Sequence, residues 1–177
     1  SDVQIVLTTL GASIAGTYSV AARMGNFYPL IIITLNSLFA SRLRLQNTIS
    51  ANFIKKSLFL LFAILFLMLL CAWQAPLIIK LLFGAKAAGA GLIYRYLTLA
   101  YLPLMAATLP IAILVFFYGK TKLVGMLGVI QVIIMLTGSF TLTPNFREIG
   151  PIIALGVANS IVLLFSCVKV IRLWKSE

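Results

Sequence analysis

"GASIAGTYSVAARMGNFYPL", residues 11–30, decides how the rest of the chain is read. Nearly every side chain in it is at home in lipid, yet Arg23 stands in the middle with no acid near it in sequence. Composition says which solvent to assume. The 177 residues are 62% hydrophobic and only 10% charged, and mean hydropathy is +1.13. Soluble domains average about 25% charged residues. So few charges cannot cover a water-facing surface of this size, and the chain reads as an all-α polytopic membrane protein.

Net charge is +11, from 14 Lys and Arg against three acids, with no His. The basic residues do not gather into one patch. They punctuate apolar runs, as Lys and Arg do at the ends of membrane helices, so no nucleic-acid partner is expected. Cys71 and Cys167 are isolated in apolar segments and make neither a disulfide framework nor a metal site. The acids are Asp2, Glu148 and Glu177. Metal ligation and acid–base catalysis lack the side chains they need, so neither a cofactor nor an enzyme is expected. The chain opens on Ser1-Asp2-Val3, already apolar, without an initiator Met or a signal peptide. The expectation is the C-terminal part of a longer protein.

A membrane-spanning helix needs about 20 apolar residues. Uncharged, mostly apolar runs over 57–79, 96–119, 123–146 and 149–168 each read as one crossing. Gly11 and Gly16 flank "ASIA" and predict a turn there. Residues 1–10 then form a helix stub, and 17–41 one full helix containing Arg23. The expected helices are 1–10 (partial), 17–41, 57–76, 92–117, 123–143 and 151–170, that is, five complete crossings plus a stub within a single domain, 1–177. "PLIIKLLFG", 76–84, is too short to cross and is expected along the membrane interface, with Lys80 reaching the headgroups.

Alternating the helix ends sorts the cations. One end collects Arg42, Arg44, Lys55, Lys56, Lys120, Lys122, Lys169, Arg172 and Lys175. The other collects Lys80, Lys86, Arg95 and Arg147. The richer end belongs in the cytoplasm by the positive-inside rule, which makes the C-terminus cytoplasmic, with Trp174 as an interfacial anchor.

Projected at about 100° per residue, Gly16, Ser19, Arg23, Asn26, Thr34, Ser37 and Ser41 fall on one face, interrupted by Leu30. The opposite side is Val20, Met24, Ile31, Leu35 and Leu38, with Asn36 as an exception. In lipid, a polar stripe must face other helices or water. A charged Arg at depth costs at least ~2.5–3.5 kcal/mol on insertion scales. Three readings of Arg23 stay open: snorkelling to the near interface, about 10 Å away by helix rise; pairing with Asp2 on the stub; or lining a path for an anionic substrate. The substrate-path candidates are Ser19, Arg23, Asn26, Thr34 and Ser37, and Asp2 is the candidate ion-pair or coupling acid.

Other polar positions read as packing. Gln131 shares its helix with Gly125, Gly128 and Gly138, which suit close helix contact. Asn159 and Ser160 suit interhelical hydrogen bonds. Pro29, Pro103 and Pro110 lie inside expected helices and can kink them. Tyr94, Tyr96 and Tyr101 suit an interfacial belt.

The order of these features resembles the C-terminal half of bacterial polysaccharide flippases. These are the lipid-linked oligosaccharide transporters of the multidrug/oligosaccharidyl-lipid/polysaccharide exporter superfamily. The residues that carry the resemblance are the "G.Y..A.R" of Gly16, Tyr18, Ala21 and Arg23 and the run "PLIIKLLFG" at 76–84, separated by a basic loop and a long helix. The resemblance spans the chain through short motifs in order. It implies one lobe of a two-lobed transporter in the bacterial cytoplasmic (inner) membrane, missing its N-terminal lobe. It also implies alternating access, and an anionic polyprenyl-diphosphate-linked glycan as substrate, its tail left among the membrane lipids. Arg23 would hold the diphosphate charge. Asp2 is the one acid available here for ion or proton coupling. A multidrug cation exporter of the same superfamily would want carboxylates facing the cavity, where this chain offers Arg. A membrane-embedded glycan-assembly enzyme would want acids and long loops, and here the loops are short.

Overall fold

The computed structural model describes residues 2–44, 50–84, 87 and 89–175, with the Asp2 side chain outside that set. The described residues are helical throughout, without a strand. Eight α-helices follow one another: α1 Asp2–Leu10, α2 Ala12–Gly25, α3 Phe27–Leu43, α4 Ala51–Trp73, α5 Ala75–Phe83, α6 Ala90–Ala112, α7 Thr121–Phe146 and α8 Gly150–Trp174. A π turn, Ile113–Phe117, closes α6, and a 3-10 turn, Arg147–Ile149, joins α7 to α8.

Four stretches are long and apolar enough to cross a membrane: Ala12–Leu43, Ala51–Trp73, Ala90–Phe117 and Thr121–Trp174. The 23 residues of α4 would rise about 35 Å, slightly more than a hydrocarbon core of about 30 Å. The 54-residue stretch doubles back on itself. A Cβ on Gly138 would meet Ala154 at 2.8 Å, one on Gly150 would meet the Thr143 backbone at 2.6 Å, and Gln131 bonds Asn159. Pairs that climb in one helix as they descend in the other define an antiparallel hairpin of α7 and α8.

α6 is the hub, packed against α2, α3, α4, α5 and α8. It runs parallel to α2 and α3: Thr17 faces Gly89, Gly25 faces Leu97, and Arg44 lies over Phe116. The interior is small or polar where helices touch. Ala107, Ala112, Thr98, Asn159 and Ser166 are fully buried. The outside is greasier: Phe59, Leu81, Trp73 and Phe62 are all more than two-thirds exposed. In water this would be an unusable surface. In lipid it is the solvated one, and the fold has the character of a multi-pass membrane protein.

The structure revises several boundaries. The turn lies at Gly11 alone, where φ is +88° and glycine carries no steric penalty; Gly16 is inside α2. The helix expected over 17–41 is two helices meeting at Asn26. Pro29 has no N–H to give to the Gly25 carbonyl, and its ring crowds that carbonyl. The Asn26 N–H closes α2 on the Ala22 and Arg23 carbonyls. Of the small residues expected at a helix contact in α7, Gly138 is packed, whereas Gly125 and Gly128 face open space. "PLIIKLLFG" forms α5, with Ala75 and Ile79 buried and Leu77, Leu81 and Leu82 exposed. A Cβ on Gly91 would meet Pro76 Cα at 2.6 Å, so α5 lies hard against the start of α6.

Candidate functional site

The kinked pair α2–α3 has a sharply defined inner seam. Tyr18, Ala21, Gly25, Tyr28, Leu35, Phe39 and Leu43 are buried, at the three-, four- and seven-residue spacings of one helix face. Tyr28 anchors it. Its hydroxyl donates to the Tyr94 hydroxyl at 2.9 Å and lies 2.6 Å from Thr98 Oγ1. Its ring stacks with Tyr94 and leans on Tyr101. Tyr94 and Tyr101, expected at the interface as a belt, thus belong to this interior cluster, while Tyr96 is exposed.

Roughly half a turn from that seam, by the same projection, lies the polar stripe. Arg23, Asn26, Thr34, Ser37 and Ser41 are exposed, and Ser19 is half-buried. The chain's own core covers none of the five exposed ones. The residues named opposite the stripe sit to one side: of Val20, Met24, Ile31, Leu35 and Leu38, Leu35 alone is buried.

The hydroxyls of this stripe are spoken for as donors. Ser19 donates to the Gly16 carbonyl, Thr34 to Leu30, Ser37 to Ile33 and Ser41 to Leu38. Each leaves its oxygen free to accept. Donors on the face come from Arg23 and from the Asn26 amide. At the far end of the stripe a recess of about 520 Å³ opens between α3 and the π turn, lined by Asn36, Ser37, Ser41, Arg44 and Phe116. Asn36 Oδ1 is buried there without a hydrogen-bond partner among the described residues. The Arg44 guanidinium lies 5.2 Å from the Phe116 ring centre, a cation–π contact that holds the charge at the rim. Composition gave no pointer to this recess, because Arg44 reads as one more loop cation until the π turn brings Phe116 beside it.

Arg23 lies about 9 Å by helix rise beyond Thr17, which is level with the start of α6. Counted from the Gly11 turn it is roughly 18 Å along the helix, deeper than a turn reaching to residue 16 implies. Among the described residues the ion pair present is Arg147–Glu148, at 3.8 Å in the 3-10 turn between α7 and α8. The Asp2 side chain, a partner for Arg23 in one of the three readings, lies outside the described residues, as does Lys86.

Asn159 and Gln131 sit elsewhere. Asn159 is fully buried, donates to the Ala100 carbonyl at 2.8 Å and accepts from Gln131 at 2.7 Å, clamping α6, α7 and α8. Ser160 bonds within its own helix, to Gly156, rather than across helices.

No family model, no curated protein and no solved structure matches the chain.

Proposed function

We propose that the chain is one lobe of a two-lobed bacterial membrane transporter of the polysaccharide-flippase type, moving an anionic lipid-linked oligosaccharide across the cytoplasmic membrane by alternating access. One observation carries the reading: the polar, cationic face of α2–α3 is turned away from the chain's own core. In a bilayer such a face calls for a water-filled cavity or a second protein surface. A transport path between two lobes supplies both.

The chemistry of the face suits the substrate. A diphosphate needs donors and positive charge, which Arg23 and Asn26 offer. Sugar hydroxyls need acceptors, which the oxygens of Ser19, Thr34, Ser37 and Ser41 offer once their protons are engaged in the helix. The lipid tail stays in the bilayer, where the exposed Phe and Leu side chains of α4 lie. With α7 and α8 each crossing, the lobe has five crossings. Arg42, Arg44, Lys55, Lys56, Lys120 and Lys122 then gather at the cytoplasmic end. The order of the Gly16–Arg23 and Pro76–Gly84 motifs supports the same family.

The test uses the full-length parent gene in a bacterium lacking its own surface-glycan flippase and supplied with the cognate assembly enzymes. Clearance of lipid-linked repeat units from the inner leaflet, with glycan restored outside, is the expected result. An inner pool that persists despite membrane expression and confirmed substrate synthesis contradicts it and favours export of a cationic compound.

A further inference from the structure

A second recess lies on the other side of α3, where its last turn meets the first turn of α4. It has a volume of about 420 Å³ and an open mouth. Its polar wall is Arg42, Ser50, Asn52, Lys56 and Ser57, and Leu38 and Leu60 line its apolar side. We propose that this recess binds the phosphodiester headgroup of an anionic membrane lipid, with an acyl chain lying along Leu38 and Leu60.

Donors crowd the recess and nothing inside it balances them. Arg42 and Lys56 bring two positive charges from two helices. Ser50 is the N-cap of α4 and its side chain makes no capping bond, while the Phe53 N–H donates to the Ser50 carbonyl at 3.0 Å. The strongest sign is Ser57. It is 5% exposed, lines the recess, and engages no partner among the described residues. A serine this deep in a membrane helix ordinarily returns its proton to the preceding turn, as Thr34 and Ser37 do on α3. Of the acids, Glu148 belongs to the 3-10 turn at the opposite end, and α1, which begins at Asp2, packs beside that turn; Glu177 lies outside the described residues. Two cations from two helices and the Ser57 hydroxyl between them are a recognition set for a phosphate group.

The apolar side points to a lipid rather than a soluble anion. Leu38 is 44% exposed, and two turns beyond Leu60 on the same face of α4 Leu67 is 59% exposed. Headgroup and chain would therefore lie as they do in the leaflet. Basic recesses between helices at a cytoplasmic face are known to take anionic headgroups. The proposal needs the chain to sit in a bilayer; it does not rest on the transport reading, and it uses none of the residues of the polar stripe.

The experiment retains lipids on the purified full-length chain in mild detergent and counts them by native mass spectrometry. The protein is equilibrated beforehand with mixed phosphatidylcholine and phosphatidylglycerol. Preferential retention of one phosphatidylglycerol is expected, lowered at least about tenfold in the Arg42→Gln/Lys56→Gln double variant. It is unchanged in Lys80→Gln/Arg95→Gln at the other end. Ser57→Val, which leaves all charges in place, is expected to lower retention several-fold, and Arg42→Lys to keep it. This pair keeps the proposal open to refutation should the double variant fail to fold. Equal retention of both lipids, or a preference that survives both the double variant and Ser57→Val, overturns it. Competition by inorganic phosphate as effective as that by short-chain phosphatidylglycerol overturns the lipid and leaves a soluble-anion site.

Discussion

The Tyr28 hydroxyl donates to the Tyr94 hydroxyl at 2.9 Å while lying 2.6 Å from Thr98 Oγ1, and this contact sets which way α3 faces. With Tyr28 fixed against α6, Leu35, Phe39 and Leu43 follow inward at helical spacing. Thr34, Ser37 and Ser41 are carried outward. The orientation of the polar stripe is thus a consequence of a buried hydroxyl cluster.

Tyr28→Phe removes the donor to the Tyr94 hydroxyl, while Thr98 Oγ1 keeps its own bond to the Tyr94 carbonyl at 2.8 Å. Hydrogen bonds of this kind between membrane helices are worth about 0.6 kcal/mol on average and up to ~1.7. A loss of about 0.5–1.5 kcal/mol is expected in reversible unfolding in mixed micelles. Tyr28→Ala, which also opens a cavity, should cost about 3 kcal/mol or more.

Asn159→Ala breaks two bonds at once, to the Ala100 carbonyl and to Gln131. The expected cost is about 1–2 kcal/mol. Gln131→Ala in the Asn159→Ala background should cost less than it does alone, because its partner is already gone. Full additivity of the two would show that the bond carries no energy.

Glycines separate by what a Cβ would meet. Gly91→Ala places a methyl 2.6 Å from Pro76 Cα, a backbone atom that cannot swing away. A loss of about 1–3 kcal/mol is expected. Gly125→Ala meets nothing within 4 Å and should be neutral or stabilising by up to about 1 kcal/mol. The same unfolding assay reads both.

Single cysteines give the sidedness. On a background without Cys71 and Cys167, a cysteine at Ser50 should be labelled by impermeant reagent from the cytoplasmic side, and one at Arg147 from the outside. Labelling of Ser50→Cys in intact cells would reverse the orientation.

Much of the fold was legible from charge spacing, because in lipid each break in an apolar run marks an interface. The helix faces were harder to read. On α2 and α3 the apolar side chains Ile31, Leu38 and Phe27 are exposed, while Ala21, Gly25 and Tyr28 are buried. Hydrophobicity cannot tell core from lipid when both are apolar; small size and a satisfiable hydroxyl mark the core. The stripe itself was legible as a helical projection. The kink at Asn26 needed Pro29 to be weighed against the Gly25 carbonyl. The recesses beside Arg42 and Arg44 were not legible at all, since each is built from residues brought together from two helices.

The most direct measurement of the central claim is glycan translocation by Arg23 variants of the full-length parent at matched membrane expression. Arg23→Ala should lower clearance of the inner-leaflet lipid-linked pool by about tenfold or more, and Arg23→Lys should keep part of it, because the face needs charge more than a bidentate fork. Wild-type clearance by Arg23→Ala, with the protein inserted and expressed normally, would contradict the claim that this face handles an anionic substrate.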